Sequence, residues 1–130
     1  MASREPRTRR AVRACGIPER WRREMRTVVR RLAEGFSPER IILFGSSVRG
    51  TIGPHSDLDL LIVKNSRLPF HRRAAAAYRT LRGVRRRVPV EILVYTEGEL
   101  EHRRALGDHF VLDALGEGEV VYERKPKAAR

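Results

Sequence analysis

A chain of 130 residues is one domain's worth, long enough to bury a real core. No apolar run approaches the ~18 residues of a membrane span, and no apolar stretch follows the N-terminal arginines as it would in a secretory signal; a cytoplasmic protein is expected. The formal net charge is +12, from 28 Lys and Arg against 16 Asp and Glu, and the lone cysteine, Cys15, rules out an internal disulfide and suits a reducing compartment.

The charge is unevenly placed: residues 1–40 and 64–87 are basic, and residues 88–123 are acidic. A polyanionic partner would account for this, and so would an arginine-rich codon usage. Aromatic side chains that could stack on bases are few and fall at core-like positions, which argues against a sequence-specific nucleic-acid reader.

Residues 1–17 lack apolar periodicity and are expected to form a basic, disordered tail. The segment GIPERWRREMRTVVRRLAEGF reads as a helix, with Pro18 in its first turn, Gly35 as its stop, and Trp21, Met25, Val28, Val29 and Leu32 on one face. A short strand follows at Ile41 to Phe44. A second strand, SDLDLLIV, starts near Asp57. LPFHRRAAAAYRTLRG is an alanine-rich helix with its arginines on the wet side. VPVEILVY is a third strand, with Pro89 at its start or on a sheet edge because proline lacks an N–H. The two longer apolar strands read as buried on both faces. Thr96 and Glu99 form a capping box for a further helix. GDHFVLDALGEG is a short helix capped by Asp108 and stopped by Gly116, and EVVYE is a last strand. The pattern implies an α/β (α+β) domain, a mixed sheet of about four strands packed with helices, over 18–124, with a second basic tail at 125–130.

The chemistry concentrates in FGSSVRGTIGPHSDLDLLIV. Strand side chains alternate, so Asp57 and Asp59 are expected on one face. Two carboxylates about 4 Å apart repel by roughly 4 kcal/mol at an effective dielectric near 20. Either water screens such a pair or a cation neutralises it. Mg²⁺ suits one or two carboxylates plus phosphate and water. Glu91, alone in an apolar strand, is a candidate third carboxylate, and three could hold two metal ions for in-line displacement at phosphorus. Gly45 permits close backbone approach. The helix start that follows offers N–H groups to an anion; Ser46 and Ser47 add hydroxyls, and Arg49 a planar fork for phosphate. Each feature alone has a plainer reading. A Gly-Ser turn merely connects elements, Asp-x-Asp can be a solvated edge, a lone Glu can be an edge residue, and Arg49 and His55 can be surface residues. Their conjunction is what points to a site.

These residues resemble the minimal nucleotidyltransferases of the DNA polymerase β-like superfamily. The pattern there is an apolar residue, Gly-Ser, a spacer, then Asp-x-Asp between apolar residues. Phe44, Gly45, Ser46, ten further residues, Asp57 and Asp59 match it, and the likeness runs over about residues 25–124. The resemblance implies a nucleotidyltransferase fold, two Mg²⁺ ions, and transfer of AMP from ATP to a hydroxyl with release of pyrophosphate. Asp57 and Asp59 would bind both ions. Glu91 would bind the catalytic ion and help deprotonate the acceptor. Gly45, Ser46 and Ser47 would hold the triphosphate with Arg49. Glu91 stands where Asp is usual, reaching one methylene further. The resemblance also implies a helical HEPN-type ribonuclease toxin as partner and acceptor, which would make this chain an antitoxin. Alternatives are modification of a small molecule of the aminoglycoside type, an inactive interaction module on the same fold, and a nucleic-acid-binding protein that uses its basic helices.

Overall fold

The computed structural model describes residues 18–49 and 56–124. The expected basic tails at 1–17 and 125–130, with Cys15, and the loop segment holding Gly50 and His55 lie outside the described residues.

Helix α1, Glu19–Gly35, buries the expected stripe of Trp21, Met25, Val28, Val29 and Leu32. Pro18 sits one position earlier than expected, as the N-cap, and its carbonyl accepts from the amides of Trp21 and Arg22. Strand β1, Arg40–Phe44, leads into the single-turn helix α2, Ser46–Arg49. Strand β2 is Leu58–Val63, α3 is Phe70–Arg79, β3 is Val90–Tyr95, α4 is Glu97–Ala105, α5 is His109–Glu117 and β4 is Glu119–Glu123. Strand β2 thus begins one residue after Asp57. No helix among the described residues is long and apolar enough to cross a membrane.

The four strands form one mixed sheet in the order β3-β2-β1-β4. Strand β1 pairs antiparallel with β2 and β4, while β2 and β3 run parallel. Alternation in the strands builds two cores. Leu58, Leu60 and Ile62 of β2 join Ile41, Leu43, Ile92 and Val94 under α1 and α3. Leu61 and Val63 point the other way and pack with Ile42 against Leu100 of α4 and Val111 and Ala114 of α5. Strand β2 is therefore buried on both faces, as its sequence predicts. Strand β3 is not: Glu91 is exposed and Leu93 and Tyr95 are half-buried. It is the sheet edge, and only its α3 face is fully covered.

Four further expectations are settled by the structure. The capping box is present, with Thr96 Oγ1 accepting from the Glu99 amide and Glu99 Oε1 from the Thr96 amide. Asp108 caps α5 by accepting from the Val111 amide. Gly116, the expected stop, lies inside α5; Gly118 is its C-cap instead, and a Cβ there would meet the Ala114 carbonyl and the Ile42 side chain. The arginines of α3 are not all on the wet side either. Arg73 is only 5% exposed; its guanidinium donates to both Glu99 oxygens at 2.6 and 2.9 Å and to the Leu68 carbonyl at 2.8 Å.

Candidate active site

The site lies where the C-terminal end of β1 meets the N-terminal ends of β2 and β3. Register sets it there: Asp59 is the Cα partner of Phe44 on one side and of Glu91 on the other. Asp59 and Glu91 continue the rows of Leu61 and Leu93 on the sheet face that α4 and α5 cover further along. Asp57 stands just before the strand, beside Leu58, whose amide donates to the Pro89 carbonyl at 2.9 Å.

Gly45 and Asp59 depend on each other. Gly45 turns the chain out of β1 at φ +84°, a conformation L side chains rarely adopt. Its Cα also lies against the Asp59 side chain. A Cβ there would collide with Oδ2 and sit 3.1 Å from Cγ. The glycine is required both by the turn and by the carboxylate beside it.

Asp59 pays electrostatically for its place. Burial pushes its carboxyl up to about 6, and the negative charges of Asp57 and Glu91 push the same way; Arg49 opposes them. Arg49 itself is engaged in an exposed ion pair with Glu117 of α5 at 3.1 Å. Exposed pairs contribute about 0–1 kcal/mol, so an incoming phosphate can displace Glu117 at little cost. Ser46 Oγ hydrogen-bonds Ser56 Oγ at 3.3 Å and so ties the start of α2 to the residue before Asp57. Ser47 is fully buried, its hydroxyl without a hydrogen-bond partner among the described residues, so of the two serines it is Ser46 that presents its side chain outward.

The carboxylates were expected to converge as three. Among the described residues, however, no group of three or more His, Cys, Asp or Glu side chains lies close enough to hold a metal ion. Glu91 is brought next to Asp59 in register but stays exposed on the edge strand. The Asp57 and Asp59 pair still fits Mg²⁺. It offers hard oxygen donors in the number that ion takes from protein, with phosphate and water completing its shell, and a cation would relieve the charge that raises Asp59.

Two features of the site were not read from the sequence. Tyr78 of α3 accepts from the Ile92 amide at 2.9 Å and donates to the Val90 carbonyl at 3.1 Å. It thereby takes the place of a neighbouring strand on the free edge of β3, gripping the backbone on both sides of Glu91. Burial raises its phenol above the usual value. Pro89 hinted at an edge, but nothing local pointed to a tyrosine twelve residues earlier. The second feature is α5, which forms a wall through Glu117 and through Phe110, whose ring meets Phe44 edge-on at 5.4 Å.

The model of the nucleotidyltransferase domain family matches residues 22–113, more than half of the chain and a span that includes Asp57, Asp59 and Glu91. Among solved structures, a candidate nucleotidyltransferase from Sulfolobus solfataricus superposes with a TM-score of 0.54 at 23% identity, covering 78% of this chain and 79% of that one. At that identity the likeness speaks for the fold. No curated protein matches the chain in sequence.

Proposed function

The chain belongs to the nucleotidyltransferase domain family, and on that premise we propose that it transfers AMP from ATP to a hydroxyl on a helical protein partner of the HEPN ribonuclease type, acting as that toxin's antitoxin. The observation that carries the transfer reaction is the Asp57 and Asp59 pair set against the Gly45 turn, with Asp59 raised to about 6 by burial and like charge. A site built this way gains from taking up a cation and a triphosphate together.

The roles follow from position. Gly45 lets the Asp59 carboxylate lie against the turn, and Ser46 offers its hydroxyl to a phosphate. Arg49 exchanges Glu117 for a phosphate oxygen. Asp57 and Asp59 hold Mg²⁺, which when bound neutralises charge on the phosphates. The acceptor hydroxyl adds to the α-phosphorus, its proton passes to Glu91, and the bond to the β-phosphate oxygen breaks to release pyrophosphate. Most of the rate enhancement then comes from orientation and charge complementarity. A partner docking at this end of the sheet would bring the hydroxyl and close the open side of the site.

Incubation with radiolabelled ATP, alone and with the helical partner, tests this reading. Label should appear on a partner tyrosine, serine or threonine only when both proteins and Mg²⁺ are present, and should vanish with Asp57→Asn. Labelling of a small molecule and of no protein would transfer the reading to that class. The exposed position of Glu91, outside any three-carboxylate cluster, favours one second reading: an interaction module without turnover. Wild type and Glu91→Gln that bind the partner equally and label nothing would establish it.

A further inference from the structure

Part of the basic charge that the proposed reaction leaves unused gathers along one seam. Glu24 of α1 accepts from the backbone amides of Arg87 and Val88 at 2.9–3.0 Å. About two turns on, Arg31 donates to the Arg82 carbonyl at 2.9 Å. The loop 82–87 is thus pinned to α1 at both ends. Along this seam, around the Glu24 clamp, lies a cleft of about 300 Å³ lined by Arg20, Arg23, Glu24, Thr27, Arg85 and Arg87. None of the four arginine side chains in it has a hydrogen-bond or ion-pair partner among the described residues. The Glu24 carboxylate, the one acid in the lining, is occupied by backbone amides.

We propose that this seam binds the phosphodiester backbone of a single-stranded nucleic acid, a ligand beyond the nucleotide and the protein acceptor. Four unpaired guanidiniums facing one cleft repel each other, and the fold holds them there by two backbone clamps. An anion with several oxygens relieves that repulsion, and the planar fork of arginine matches phosphate. The basic stripe extends from Arg20 to Arg31, about 16 Å along the helix axis, which suits a chain of phosphates better than a single small anion. The cleft is too small for a duplex. Its lining has no exposed aromatic ring, Trp21 being buried in the core, so contact is with the backbone and carries no base preference. The seam ends at Arg87, four residues before Glu91 and on the segment whose Pro89 carbonyl holds Leu58. A strand lying in it therefore passes the carboxylate end of the sheet.

The test is fluorescence anisotropy of a labelled oligouridylate titrated with the full chain over a salt series. Wild type should bind with an affinity that falls steeply with salt. The quadruple variant Arg20→Ala, Arg23→Ala, Arg85→Ala and Arg87→Ala should lower the log–log slope by about 3, at roughly 0.7 per phosphate contact on a single strand. A matched variant that removes the same charge elsewhere, at Arg72, Arg79, Arg103 and Arg104, should keep the slope. Both variants should retain stabilisation by ATP with Mg²⁺, which separates this site from the nucleotide site and reports folding. Equal loss in the two quadruple variants would mean bulk charge and overturn the proposal. So would inorganic pyrophosphate binding as tightly as the oligomer, or an acidic polyglutamate peptide doing so with the same dependence on the four arginines.

Discussion

The two ends of this sheet treat carboxylates in opposite ways. At the C-terminal end of β3, Glu99 receives the guanidinium of Arg73 and the Thr96 amide, and its carboxyl is held down at about 2, chiefly by the Arg73 hydrogen bonds. At the N-terminal end, Asp59 sits between Asp57 and Glu91 and is pushed up to about 6. One end satisfies its charge within the fold; the other leaves charge that the fold does not satisfy. The first arrangement is structural. The second costs stability in the empty protein and is explained if a cation and phosphate complete it. Perturbed groups concentrate at functional sites for this reason, and the contrast within one sheet marks Asp59 as the candidate for function and Glu99 as a partner within the fold.

The contrast can be broken at either end. The largest stability effect is expected at Glu99→Ala, which strands the buried Arg73 without its partner. Loss of about 3 kcal/mol is expected, the low end for breaking a buried pair because Glu99 itself is half-exposed. Urea unfolding with an unchanged slope measures it. Gly45→Ala follows, at about 2 kcal/mol for the left-handed backbone and the clash with Asp59. It should also abolish the ATP-dependent rise in melting temperature.

The pH dependences should have opposite signs. The folded value of Asp59 lies above its unfolded one, so the native state holds the extra proton between about 4 and 6. Its contribution to stability is therefore full below about 4 and is lost as pH rises through 6. The expected size is about 1–2 kcal/mol after allowing for solvent screening. The folded value of Glu99 is depressed, so its contribution is present above about 4.5 and lost as pH falls towards 2. Unfolding of the metal-free protein across this range should show an Asp59 component that Asp59→Asn removes and a Glu99 component that it leaves. A smaller effect, about 1–2 kcal/mol, is expected for Tyr78→Phe, which leaves the Val90 carbonyl and Ile92 amide without their partner. Hydrogen exchange at Ile92 should accelerate while that at Leu60, inside the sheet, does not.

What could be read in the sequence was local. The α1 stripe, the Thr96 and Glu99 capping box and the Asp108 cap rest on residues a few positions apart, and the Gly45 to Asp59 spacing spans one connection between neighbouring strands. What escaped was set by partners far along the chain. Arg73 looked like a wet-side arginine because Glu99, which buries it, is 26 residues on. The clamp of Glu24 on the loop before β3 spans 63 residues. Gly118 rather than Gly116 is the C-cap of α5, packed so closely against Ile42 of β1 that no Cβ fits. The exposure of Glu91 followed from a strand order that puts β3 at the edge, and an apolar run does not reveal its neighbours.

The central claim, that Asp59 is set for a ligand and against the empty fold, is tested most directly by thermal unfolding of wild type and Asp59→Asn, each with and without ATP and Mg²⁺ at neutral pH. A ligand at a hundred times its dissociation constant stabilises by about 2.7 kcal/mol, a shift of several degrees for a domain of this size. The variant should melt at the same temperature as the empty wild type or higher, and only wild type should gain from ATP with Mg²⁺. A variant that melts well below the empty wild type, yet still gains from ATP with Mg²⁺, would contradict the account and make Asp59 a structural residue.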